Sequence, residues 1–156
     1  MKLARYVLAF AVALPALAAD PDFYARKGVA IRGADPVAYF TLAEGADAAI
    51  GDSAITASYG GTTWRFVSTA NRDAFVADPE RYLPQYGGYC AYAVASGYTA
   101  KIDPDAWHIT DGKLYLNYSK RIGRRWLRDR DSYISSADAN WPDVLAACEA
   151  KDRCAD

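Results

Sequence analysis

Two hairpin signals, one in the first half of the chain and one in the second, constrain the fold more than anything else. Ile55, Ala57 and Tyr59 alternate up to Gly60-Gly61, and Trp64 and Phe66 take alternate positions on the return. Paired glycines supply the positive φ angles that a tight strand reversal needs. Further on, 107–110 and 113–118 flank Asp111-Gly112, a strong hairpin turn. There Leu114 and Leu116 share one face, and Tyr115 shares the other with Lys113 and Asn117. Helical sequence lies between and after these hairpins. Ser68 or Thr69 caps a helix through Ala77, with Phe75 and Val76 on its apolar side. Asp78-Pro79 ends that helix and opens a further turn to Leu83. A helix over 89–96 follows a flexible Gly87-Gly88 lead-in and closes at Gly97. A basic helix over 119–130 carries Ile122, Trp126 and Leu127 along one stripe. A last helix over 137–148 has Trp141 and Pro142 in its opening turn. Upstream, 20–27 reads as a short helical turn, 28–33 as a short strand, and 42–52 as a surface loop. The expectation is a small single α+β domain, with short antiparallel β-hairpins packed against several α-helices.

The first 19 residues are set apart from that domain. Lys2 and Arg5 precede an apolar run over 6–17, and Ala16-Leu17-Ala18-Ala19 offers small residues for cleavage. This is the pattern of a secretory signal peptide cut after Ala18 or Ala19. The run falls short of the roughly 20 residues of a membrane span. A periplasmic or secreted protein with no membrane span after cleavage is therefore expected. Removing residues 1–19 leaves 137 of 156; of 18 basic residues 16 remain against 19 acidic, a net charge of −3. Nucleic-acid binding, which calls for a basic face, is not expected.

Three cysteines follow, Cys90, Cys148 and Cys154. Cys148 and Cys154 lie close enough in sequence to pair in an oxidising compartment, which leaves Cys90 over. Cys90 sits in PQYGGYCAYAVASG, 84–97, among Tyr86, Tyr89 and Tyr92, and His108 is the chain's single histidine. Thiolate and imidazole together suit copper or zinc, and a helix N-terminus at Cys90 would favour the thiolate. The same pair could serve as nucleophile and base in a thiol enzyme or redox protein. Against both stands the reading of Cys90 as a small buried hydrophobe and of His108 as an exposed or edge-bonded strand residue. A structural or protein-interaction module with no site is the third reading. The three tyrosines read either as core and rim aromatics or as the walls of a ligand pocket. Asp35, Asp103 and Asp105 flank prolines and read as turn and capping residues. The five arginines and one lysine of 119–130 sit beside Asp129 and Asp131, which favours a solvated face over an anion site. No phosphate-cradling loop, zinc spacing or Gly-x-Ser-x-Gly elbow is present, so no catalytic residues are assigned.

DPVAYF at 35–40, YGGTTWRFVSTANRDAF at 59–75 and DPERY at 78–82 together resemble the YHS domain. That would place a YHS-like core over about 33–83, an extension over 84–147 and a short cysteine-containing tail over 148–156. The segments QYGGYCAYAV and DGKLYLNY resemble an exported subgroup that carries the domain in a longer chain. The resemblance implies metal handling, copper first; the candidate ligands, Cys90 and His108, come from their own chemistry. The commoner form of the family carries three cysteines that this chain lacks: Ala38, Val67 and Asn71 stand in their places. Without that thiolate cluster the family's metal chemistry does not transfer by analogy.

Overall fold

A computed structural model describes residues 22–151 and Cys154; the expected signal peptide, 1–19, lies outside the described residues. Among them are two small sheets and four α-helices, an α+β domain as the patterning predicts. The first sheet has the strand order β1-β2-β4-β3. Its outer strands are β1 (Ala25–Arg26) and β3 (Asp52–Tyr59), and its inner ones are β2 (Val29–Ala30) and β4 (Thr62–Phe66). The β3–β4 hairpin turns at Gly60 and Gly61, φ 55° and 70°, as the glycine pair demands. Trp64 and Phe66 point inward from β4 and are wholly buried. Helix α1 (Thr69–Ala77) covers them with Phe75, whose ring centroid lies 5.3 Å from each. Ser68 caps α1 by accepting a hydrogen bond from the Asn71 amide at 3.1 Å.

The second sheet is the hairpin β5 (Asp103–Thr110) and β6 (Lys113–Asn117), which pairs His108 with Tyr115 and turns at Asp111-Gly112. Helix α2 (Ala91–Ala95) precedes it; α3 (Lys120–Leu127) and α4 (Arg130–Lys151) follow and close over it. Ser119 caps α3. Leu114, Leu116 and Trp126 are fully buried, and one aromatic-rich core runs through both sheets.

Several local expectations are corrected. Of the helical turn expected over 20–27, the described residues 22–27 form none: Ala25–Arg26 is a strand, paired antiparallel with β2, which itself runs parallel to β4. The strand over 28–33 stops at Ala30, because Ile31 and Arg32 adopt positive φ. Val76 is 61% exposed, leaving Phe75 as the apolar side of α1. The last helix begins at Arg130 and passes through Pro142. The helix expected over 89–96 shrinks to Ala91–Ala95 behind a 3₁₀ turn over Gln85–Gly88. Gly87-Gly88 is not a flexible lead-in. Gly87 (φ 60°) lies against the Asp22 carbonyl so closely that no Cβ fits, and Tyr86 shares its left-handed conformation at φ 55°.

Cys148 and Cys154 form the expected disulfide, with Cα atoms 4.9 Å apart, at the end of α4. The sulfur of Cys148 lies 3.7 Å from the Thr99 hydroxyl, which ties the helix end to the segment before β5. No helix among the described residues is long and apolar enough to cross a membrane.

Candidate functional site

Asp35 is the most heavily engaged carboxylate among the described residues, and it is completely buried. Its Oδ1 accepts from the amides of Val37 (2.8 Å) and Ala38 (3.2 Å), the turn-capping role expected of Asp-Pro. Its Oδ2 accepts from the Val67 amide (2.8 Å) and Asn71 Nδ2 (2.7 Å), so one side chain ties the 35–38 turn to the corner between β4 and α1. The capping half was readable from the sequence; the long-range half was not. Asp105 behaves similarly on a smaller scale. It accepts from the Ala48 amide at 2.8 Å, while Asp103 accepts from the Asp105 amide at 3.1 Å. Together with the Trp107 indole, which donates to the Ala46 carbonyl at 2.8 Å, Asp105 holds the 42–51 loop against β5. Asp35 thus has the predicted capping role, whereas Asp103 and Asp105, expected in a turn, lie in β5 and Asp105 serves as a clamp.

Cys90 occupies the N-cap position of α2, which is only five residues long. The thiol is 1% exposed and donates to Asn117 Oδ1 at 3.8 Å; the same oxygen accepts from the Tyr92 amide at 3.2 Å. Burial pushes the Cys90 thiol above its ordinary value, and the nearby backbone groups of Ala93, Tyr118 and Tyr92 oppose that shift without cancelling it. Expected helix-terminus activation of the thiol is thus outweighed by desolvation, since so short a helix offers little dipole. His108 has different neighbours. It is half-buried in β5 and stacks on Trp126 with centroids 5.9 Å apart and planes 17° from parallel. Its Nε2 faces Gly123 of α3 so closely that a Cβ there would sit at 3.0 Å. Burial lowers the His108 pKa and the Glu44 charge partly restores it, so the ring is a neutral imidazole at pH 7. No hydrogen bond joins Cys90 to His108, and no group of three or more His, Cys, Asp or Glu side chains could hold a metal among the described residues.

The three tyrosines separate. Tyr89 packs edge-on against Tyr24 and lies beside Trp141; Tyr92 meets Tyr133 at 5.1 Å. Only Tyr86 lines a large opening, a cleft of about 560 Å³ shared with Trp141, Glu80 and Asp138. Its hydroxyl donates to Asp138 at 2.8 Å; burial, and after it that bond, raises its pKa.

A second cleft, of about 320 Å³, lies along β5 and combines apolar walls with several polar groups. Tyr39, Phe40 and Trp107 form one side, and His108, Thr110, Glu44 and Arg130 contribute the polar atoms. Thr110 is 6% exposed, and its hydroxyl, although buried, has no hydrogen-bond partner. Buried hydroxyls are almost always satisfied, so an orphan on a residue that lines a cleft is informative. Beside it the neutral imidazole can accept a hydrogen bond where the hydroxyl donates one. Sequence reading singled out His108 for its possible pairing with Cys90 and passed over Thr110, which alternation placed on the same strand face.

Comparison with family models, with curated proteins and with solved structures finds no match for this chain.

Proposed function

We propose that this chain is an exported, YHS-type binding module without enzymatic activity, and that its ligand occupies the cleft beside β5. Its ligand would be a small molecule with an apolar or aromatic body and a hydroxyl-like head, placed between the His108 imidazole and the Thr110 hydroxyl. The unsatisfied Thr110 hydroxyl is the observation that carries this reading, because a head group that accepts from Thr110 and donates to His108 would complete both. In favour of the family assignment, Ala38, Val67 and Asn71, which stand in place of the family's cysteines, converge on a single carboxylate, Asp35. Export rests on the N-terminal pattern alone.

Titration of ¹⁵N-labelled protein with phenol tests the cleft. Amide shifts should concentrate on Trp107–Thr110 and Phe40 and should be largely lost in Thr110→Val. That variant keeps the side-chain shape and discards a buried group with no partner, so it should fold at least as stably as the parent. Phenol binding that Thr110→Val leaves untouched would remove the reading. Transition-metal handling through Cys90 and His108 finds no support in a protonated, buried thiol already bonded to Asn117. Copper uptake should be the same for the parent and for Cys90→Ala; a stoichiometric loss in the variant would restore the metal reading.

A further inference from the structure

Helix α3 segregates its side chains sharply. Gly123 and Trp126 face the core, while Arg121, Arg124, Arg125 and Arg128, spaced i, i+3, i+4 and i+7, form one exposed face. These four arginines and Ile122 line a concavity of about 350 Å³ to which no acidic residue contributes. Cations on one helix face at these spacings repel one another. Ion pairs among the described residues engage Arg72, Lys120 and Arg130 and none of these four, even though Asp129 adjoins Arg128 in the chain. The helix dipole accounts for basic residues in the last turn, where Arg124 and Arg125 lie, but it disfavours Arg121 in the first turn. Nor is the patch a by-product of a basic protein, because the chain carries a net charge of −1. One guanidinium is already oriented: that of Arg125 lies 5.6 Å from the centroid of the Tyr92 ring, which Tyr133 backs at 5.1 Å.

We propose that this arginine face of α3 binds a multiply charged, phosphate-bearing anion. Guanidinium forks match phosphoryl oxygens in pairs, and several side by side call for more negative charge than a single carboxylate brings. The phosphate can belong to a soluble diphosphate or to a lipid headgroup. Calorimetry of the full chain with pyrophosphate at low salt, and flotation with phosphatidylcholine vesicles with and without phosphatidic acid, distinguish those sources. Binding should be lost progressively with added salt and weaken about tenfold or more in Arg124→Gln/Arg128→Gln. Arg72→Gln, which removes a basic residue outside this face, should bind as the parent does. Arg121→Gln is a second variant should the double one fail to fold by circular dichroism. Binding of pyrophosphate alone assigns the face to a soluble anion; binding only to vesicles containing phosphatidic acid assigns it to a headgroup. The proposal is overturned if neither probe binds, if the arginine variants bind as the parent does, or if sulfate binds as tightly as pyrophosphate.

Discussion

At the residue scale, the buried Asp35 carboxylate and Cys90 thiol are both occupied by structural hydrogen bonds. Asp35 accepts four hydrogen bonds with no exposure to water. Replacing it with Asn would leave the shape but turn an NH₂ group toward N–H donors, with loss of the charge-assisted bonds. Asp35→Asn should lower the unfolding free energy by about 2–3 kcal/mol, measured by urea denaturation; a change within error would mean that water takes over those donors. His108 gives a pH-dependent test. Its folded pKa is depressed by burial, so the unfolded chain takes up the proton first as pH falls. The His108 contribution is therefore fully present above the unfolded value of about 6.5 and is lost as pH falls through the folded one. Between pH 7.5 and 5 the parent should lose more stability than His108→Gln, and parallel curves would show that the ring titrates as if in water.

At the scale of elements, legibility followed the locality of the signal. Both hairpins were readable because their turns, Gly60-Gly61 and Asp111-Gly112, and their alternating strands lie within a dozen residues. The starts of α1 and α3 were readable because Ser68 and Ser119 cap them through their own neighbours' amides. What escaped was set at a distance. Helix α4 shows little apolar periodicity and contains Pro142, so its first turns look like a loop until its own Ala137 and Val144 are seen to be buried. The parallel contact of β2 with β4 leaves no mark in either two-residue β2 or its flanks. Asp35 was recognisable as a cap, but its two bonds to Val67 and Asn71 cross more than 30 residues. For the candidate site, His108 stood out as a lone histidine, whereas Thr110 becomes notable only when its hydroxyl is found without a partner. The 3₁₀ turn before α2 carries its own test. Gly87 combines positive φ with a close approach to the Asp22 carbonyl. Gly87→Ala should cost more than about 1 kcal/mol in urea unfolding, whereas Gly97→Ala, with open space around it, should cost only the positive-φ penalty. Equal costs at the two positions would show that the 85–88 turn relaxes.

For the molecule as a whole, the two sheets are joined through a few specific contacts as well as the shared core. Pro84 bridges to Leu114, and Tyr39 of the first half donates to the Pro104 carbonyl at 2.9 Å. The disulfide between Cys148 and Cys154 closes a short loop at one end of this arrangement, and chain-entropy reasoning gives so small a ring about 2 kcal/mol. The Asp35 knot has a wider reach. The exposed tip at Glu44-Gly45 lies between segments that are fastened on both sides: Gly33 and Asp35 bond backbone to Gly51 and Ala49, and Asp35 holds Val67 and Asn71. A protease that cuts this tip would therefore sever the chain without separating it. The two pieces should travel together through gel filtration under native conditions, part in denaturant, and find each other again on dilution, so that the polypeptide behaves as a short and a long complementary piece joined by a dispensable strap.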